Sequence, residues 1–408
     1  MVELAAERGY DAVSVTALAK RARVSKRDFY KHFSSKEECF LATYDIVASH
    51  SLRGIHAAVD GEEERRERLR LGYLTFAGQI ADNPEAARLA LVEVFAVGAA
   101  AAKRRQRTGR LFETLAAASL APPAGPPRLP RLLVKGIAAG CARLARGRLL
   151  SGEPRQLIRD EDELTKWVLS FCDEDVARLG GLGATGAAPL PVDGGQTFGD
   201  ERAMILSATA RLASREGYAT LTVPRVRAVA GVSGRSFYAH FDGVEDCFLA
   251  TLETLGDRAL AAAEPSYLTA GDWAGGVHHM VVRLCRQLAG DPDFSSLAFG
   301  EVYSPDPDAD RWRNETIGRM ATLLRRGAPP EQRPTPFAAE ASIGAMWGVI
   351  HHFVASGSLE ELPIAAPVLS YLALAPAIGG AAALDAMVAP ARTRPAAKRP
   401  RPDRNPPA

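Results

Sequence analysis

Apolar residues along this chain recur at steps of three and four, as at Leu69, Tyr73, Phe76 and Ile80 and again at Val277, Met280, Val281 and Leu284. That spacing lines one face of a helix, and no stretch alternates with the period of two that a sheet requires. The pattern therefore predicts an all-α chain. Its most structured short stretch is Ser14 to Phe33, which reads as two helices joined by a tight turn, with a second copy at Thr222 to Phe241. Ser14 and Thr222 stand where an N-cap hydroxyl accepts from the first free amides of a helix. Val15, Leu18 and Ala19, or Val223 and Val226, supply the buried stripe behind them. After the turns Ala22-Arg23-Val24 and Ala230-Gly231-Val232, a second helix starts at the cap Ser25 or Ser233. Phe29 and Phe33, four residues apart, point into a core. Arg27, Asp28, Lys31 and His32 are left facing outward.

The two copies belong to a longer repeat. Setting residue i against i+208 aligns Met1–Thr43 with Thr209–Thr251 without a gap, and 19 of those 43 pairs are identical. The offset still pairs Asn83-Pro84 with Asp291-Pro292 and Glu93-Val94 with Glu301-Val302. An indel of three residues falls in the Pro-rich loops at 122–130 and 329–336, after which Ser151-Gly152 pairs with Ser356-Gly357. The expected organisation is two tandem units. Unit 1 has a helix-turn-helix domain at 1–45 and a larger helical domain at 46–179. A flexible linker rich in Gly, Ala and Pro follows at 180–199. Unit 2 repeats the plan at 200–253 and 254–389, and 390–408 is a basic, Pro-rich tail expected to be disordered. Unit 1 lacks the counterpart of the first eight residues of unit 2's opening helix. Its own first helix is therefore expected to be short, either because the natural chain starts upstream of Met1 or because this head has lost half a supporting helix.

The motif residues Gly9-Tyr10, Ser14, Val24-Ser25 and Tyr30-Lys31-His32-Phe33, then Ser35-Lys36-Glu37-Glu38-Cys39-Phe40, resemble the DNA-binding region of the TetR family of bacterial transcriptional regulators. The later copy fits at Gly217-Tyr218, Thr222, Val232-Ser233 and Tyr238-Ala239-His240-Phe241. The resemblance implies double-stranded DNA as a partner. Ser14, Thr16, Ser25, Lys26, Tyr30 and Lys36 would meet phosphates, Arg27, Asp28 and Lys31 would face base edges, and His32 is a further DNA-binding position. In the second copy the matching positions are Thr222, Ser233, Arg235, Ser236, Tyr238 and His240. It further implies that the larger domains bind an unknown small-molecule effector and dimerise through their last two helices, so the protein would be a repressor released by a ligand. Helices Leu132–Leu150 with Glu163–Cys172, and Ala338–Ala355 with Pro367–Leu374, are the candidates for the bundle, pairing as an internal pseudo-dimer or a homodimer. Trp273, Phe299, Trp312 and Trp347 are either pocket-lining or core aromatics.

Charge separates the copies. From Ser14 to Lys36 there are seven basic residues against Asp28, while the window Thr222 to Val244 has Arg225, Arg227 and Arg235 against Asp242. Lys26, Lys31 and Lys36 become Gly234, Ala239 and Val244. Each neutralised phosphate adds affinity through counterion release, so unit 1 is expected to be the stronger DNA-binding head. Arg227 also replaces the small Ala19, and Arg23 stands in unit 1 where unit 2 has Gly231 at a turn position suited to positive φ. The net charge of +2 on 408 residues makes any DNA binding a local effect, since there is no global field. Five cysteines, an odd number, fit reduced thiols in a cytoplasmic protein. No Cys/His spacing suits a metal, because the adjacent pairs His278-His279 and His351-His352 diverge by about 100° on a helix. No cofactor and no membrane span are expected. The alternative function, an all-helical sensor or enzyme in which the motifs are structural only, finds no paired carboxylates, nucleophile elbow or phosphate loop to support it.

Overall fold

The computed structural model describes residues 1–122, 129–172, 176–182, 200–268, 272–300 and 307–388, and every regular element among them is helical. Residues 183–199 of the expected linker, the tail at 390–408 and the pair Glu301-Val302 lie outside the described residues. Unit 1 opens with a head of α1 (Val2–Arg8), α2 (Val15–Ala22) and α3 (Lys26–His32). The long α4 (Lys36–Val59) leads into a body of α5 (Arg65–Asp82), α6 (Pro84–Leu91), α7 (Ala99–Leu120), α8 (Arg131–Leu150), α9 (Gln156–Arg159) and α10 (Glu161–Leu169), with the short α11 (Val176–Leu179) after it. Unit 2 repeats this order. Its head is α12 (Glu201–Glu216), α13 (Val223–Ala230) and α14 (Gly234–His240), followed by α15 (Val244–Leu268), α16 (Trp273–Gly290), α17 (Pro292–Phe299), α18 (Pro307–Arg326), α19 (Pro336–Ser356), α20 (Ala366–Ile378) and α21 (Gly380–Val388).

Local chemistry sets the breaks. Asn83 closes α5 and Pro84 opens α6 at its first turn, where a missing N–H costs nothing. Asp291 does the same before Pro292 and also accepts from the Phe294 amide at 3.0 Å. In the Pro-rich loop of unit 2, Thr335 caps α19 by accepting from the Ala338 amide at 3.1 Å, and Pro336 occupies the first helical position. Helix α20 is apolar all round and accordingly buried all round. Among the described residues one stretch, Leu359–Ile378, is long and apolar enough to cross a membrane, and 67% of its window is buried inside the fold.

The bodies meet along α8 and α19. Small residues let these two backbones approach closely: a Cβ on Gly140 would lie 3.0 Å from the Ala341 carbonyl oxygen and 3.3 Å from Cβ of Ala345. One on Gly348 would lie 2.1 Å from Cβ of Ala139, and one on Gly344 would lie 3.0 Å from Cγ of Arg143. With the repeat offset of 205 beyond the indel, Gly140 matches Ala345, Ala139 matches Gly344 and Arg143 matches Gly348. The contacts thus map onto one another when the units are exchanged, as across a two-fold axis. Trp167 on α10 closes the side of the seam, donating from Nε1 to Ser342 Oγ at 3.0 Å and stacking edge-to-face on Phe171.

Buried side chains form one large core through both bodies and the head of unit 2, where Leu221, Val226, Phe237 and Phe241 join it. The head of unit 1 is built differently. Its Leu4, Val13, Leu18, Phe29 and Cys39 form a small cluster of their own. A third cluster, Ala5, Tyr10, Phe40 and Tyr44 with Leu89, Val94 and Val97, lies between that head and the body.

Candidate nucleic-acid interface

Helix α3 is aimed outward by what lies beneath it. Phe29 is buried and meets Phe33 at 5.5 Å between ring centroids, which leaves the opposite face to solvent. Tyr30 stands edge-on against Phe29 yet keeps 55% of its surface exposed. Lys26, Arg27, Lys31 and His32 are exposed around it, as are the caps Ser14 and Ser25 and the neighbouring Thr16. Ser14 Oγ accepts from the Ala17 amide at 3.1 Å and Ser25 Oγ from the Asp28 amide at 3.0 Å. Asp28 is committed within its own helix. Its carboxylate accepts from Lys31 Nζ at 2.7 Å and from Ser25 Oγ at 2.6 Å, and these two bonds, Lys31's first, hold it below the usual carboxylate range. Lys36, half-buried, donates to the Tyr10 carbonyl at 3.0 Å and lies over the Tyr10 ring at 4.0 Å. It therefore ties α4 to the end of α1 in the free protein.

The turn between α2 and α3 takes left-handed backbone in both heads, at Arg23 (φ 58°) and Gly231 (φ 71°). Arg23 is the one non-glycine residue among those described with positive φ, so unit 1 carries strain that unit 2 avoids.

In unit 2, Tyr238 is 61% exposed and edge-on to Phe237, matching Tyr30. Ser233 Oγ accepts from the Ser236 amide at 3.0 Å, while Ser236 Oγ donates to Glu201 at 2.6 Å. Arg235 and His240 are exposed. One expectation fails here: Thr222 occupies the cap position of α13, but its side chain makes no capping bond. Pro224 in the first turn has no N–H to give, so one of the amides a cap would satisfy is absent. Two arginines of this head, Arg225 and Arg227, are drawn inward. Arg225 is held by Glu216 at 2.5 Å and the Thr220 carbonyl at 3.1 Å. Arg227 fits because Gly234 has no side chain, since a Cβ there would sit 3.1 Å from its guanidinium. Two substitutions noted separately in the sequence, Ala19 to Arg227 and Lys26 to Gly234, are one packing solution.

Two features were not anticipated. The first is Glu93, buried just beyond α6, whose carboxylate accepts from the Tyr10 amide at 2.9 Å and from Arg88 at 3.1 Å. It links the end of α6 to the end of α1. A lone glutamate in the apolar run from Leu89 to Ala102 was the available signal. The second is the unit 1 lining of the expected pocket, a cavity of about 1280 Å³ in the body of unit 1, bounded by α4 to α8 and by α19 of unit 2. Leu69, Tyr73, Phe76, Phe112 and Ile137 line it, and Trp347 and Phe299 reach it from unit 2. Trp273 and Trp312 are buried core residues, with the Trp273 indole donating to the Leu324 carbonyl at 3.1 Å. Near one wall Arg105 and Arg146 stack on Phe95, at 4.2 and 4.6 Å from its centroid. His351 faces the same wall and is pushed down to about 4, by burial first and then by Arg105.

The family described as bacterial regulatory proteins, tetR family, matches at residues 2–43 and 205–251, which are the two heads. The HTH-type transcriptional activator FasR of Mycolicibacterium smegmatis is 34% identical over 87 residues, covering 21% of this chain and 40% of that relative's length. The fatty acid degradation regulator FadR from Bacillus halodurans superposes with a TM-score of 0.39 at 20% identity, over 43% of this chain and 95% of that one. A head of the tetR family of bacterial regulatory proteins is thus matched in each of the two repeated units of this chain.

Proposed function

We propose that the chain is a DNA-binding transcriptional regulator whose two heads engage one duplex site, with unit 1 the stronger. The observation that carries this is the outward face of α3: exposed Tyr30, Lys26 and Arg27 held over buried Phe29, on a helix capped for a free N-terminus by Ser25. Tyr30 and the caps suit phosphate oxygens, and Arg27 suits the two acceptors of guanine. Of the basic residues in the two windows, Lys20, Arg21, Arg23, Lys26, Arg27 and Lys31 are exposed in unit 1, against Arg235 alone in unit 2. That difference supports the unequal roles. The mutual mapping of the α8–α19 contacts supports an internal pseudo-dimer, whose two recognition helices would address major grooves about 34 Å apart on an imperfect palindrome.

The cavity is the proposed effector site. Its wall carries Arg105, Arg146, Arg313 and Lys135 against Glu113, so the matching ligand is an apolar molecule bearing an anionic group. Ala86, Ala87, Ala90 and Leu91 of α6 also line it, and Glu93 at the end of α6 holds the Tyr10 amide. Filling the cavity would shift α6, and with it head 1, lowering affinity for DNA. The direct test is a gel shift with the DNA upstream of the protein's own gene at several salt concentrations. A retarded band that resists competitor DNA is expected. Absence of any sequence preference at low salt would sink the reading.

A further inference from the structure

Ten positions line a small void of about 20 Å³ between α16, α18, α19 and α20 of unit 2: Val277, Met280, Val281 and Leu284 on α16, with Met320, Leu323, Leu324, Ile343, Met346 and Ala373 opposite. By the repeat offsets, every one of them is the counterpart of a residue lining the 1280 Å³ cavity of unit 1. The two spaces are therefore the same place in the two copies. Four small residues of unit 1 account for the difference. Gly72, Ala116, Ala138 and Cys141 stand where unit 2 has Met280, Leu324, Ile343 and Met346. The aromatic partners Tyr73, Phe76 and Phe112 become Val281, Leu284 and Met320, which returns part of that volume. Tyr73 is tied to the wall by donating to the Leu157 carbonyl at 2.9 Å, and Phe76 and Phe112 meet edge-on at 6.2 Å between ring centroids. Aromatics thus line the large cavity in unit 1, whereas flexible methionines and branched side chains line the small void in unit 2.

We infer that the chain takes one effector molecule, held in unit 1 with α19 of unit 2 as its far wall, and that the equivalent site in unit 2 is closed by its own side chains. A symmetric dimer would offer two equal sites; this chain offers one, and its occupant touches both units. The inference rests on the cavity being the effector site, but the number of sites is measurable without DNA.

The probe is 1-anilinonaphthalene-8-sulfonate, an apolar anion, titrated into the intact chain by equilibrium dialysis with fluorescence as a second readout. One saturable equivalent per chain is expected. Ala116→Leu/Ala138→Ile/Cys141→Met, which installs the residues unit 2 already accommodates, should abolish that equivalent while helical circular dichroism is retained. Cys141→Met alone should weaken it severalfold, which keeps the test open if the triple variant does not fold. Trp347→Ala in unit 2 should lower affinity without changing the stoichiometry. Two equivalents per chain, no saturable equivalent in the wild type, or undiminished binding by a folded triple variant would each overturn the inference. Failure of the dye to release DNA, with one equivalent bound, would instead count against the regulatory reading alone.

Discussion

The close approach of α8 and α19 makes Gly348→Ala a sharp perturbation. Ordinary carbon contacts lie at about 3.5 to 4.0 Å, whereas the new Cβ would meet Cβ of Ala139 at 2.1 Å. Neither atom has a rotamer to escape into, so the two backbones must separate locally by more than an ångström. Overpacking of this kind costs about 1 to 3 kcal/mol. Against it stands the helix preference for alanine over glycine, about 1 kcal/mol. The expected net is a loss of up to about 2 kcal/mol, read as a lower urea midpoint at unchanged slope. Gly147→Ala on α8 is the control, since nothing lies within 4 Å of its added Cβ; it should stabilise by about 0.5 to 1 kcal/mol. Adding Ala139→Gly to Gly348→Ala should recover most of the loss, because it removes the atom that is struck. If Gly348→Ala proves as stable as Gly147→Ala, the units do not meet along this seam in solution, and the close-packing argument fails.

Tyr30→Phe should weaken DNA binding by about 1 to 3 kcal/mol through one lost bond to a charged oxygen, and Tyr238→Phe by less; equal losses at two salt concentrations, with the fold intact, would contradict the unequal heads. Arg23→Gly should raise stability by about 1 kcal/mol by relieving left-handed backbone, and no gain in melting temperature would show that Arg23 makes compensating contacts. His278 and His351 are each pushed by burial down to about 4 from an ordinary 6.5. Because the folded values lie below the unfolded ones, the unfolded chain takes up protons first, so this stability is complete above about pH 6.5 and is lost progressively as the pH falls toward 4. Urea unfolding at pH 5 should show a loss of about 1 to 2 kcal/mol for each, and His278→Gln/His351→Gln should flatten that part of the profile.

Local signals were read well from the sequence and tertiary ones poorly. Ser14 and Ser25 were legible as caps because the hydroxyl and the amide it serves are three residues apart. Thr222 was misjudged for an equally local reason, the Pro224 two residues on. The all-helical fold followed from apolar spacing and Pro placement. The role of Glu93 and the unit 1 lining of the cavity were invisible because each depends on elements far apart in the chain: the Glu93 bond to Tyr10 spans 83 residues. The repeat held a usable signal all the same. Gly72 against Met280 and Ala138 against Ile343 are size changes on the inner face of matched helices, and only the packing of those helices shows that both changes fall in one space.

Joining two units in one chain removes a constraint that a symmetric dimer obeys. In a homodimer each substitution appears twice, and a residue on the axis meets its own copy. Here Gly140 meets Ala345, its positional counterpart, and the two differ. Once the copies are independent, several differences point in one direction. The open cavity and the more exposed basic surface both lie in unit 1. The head of unit 2 shares its buried core with both bodies, whereas the head of unit 1 has a small core of its own. On the proposed reading, only one head needs to move. The free energy of a ligand that acts on a single movable head is not divided between two, and a fixed second head supplies the reference against which groove spacing is set. A shift of head 1 alone changes that spacing as much as two half-sized shifts, and α6 with Glu93 is the described connection from the cavity wall to that head.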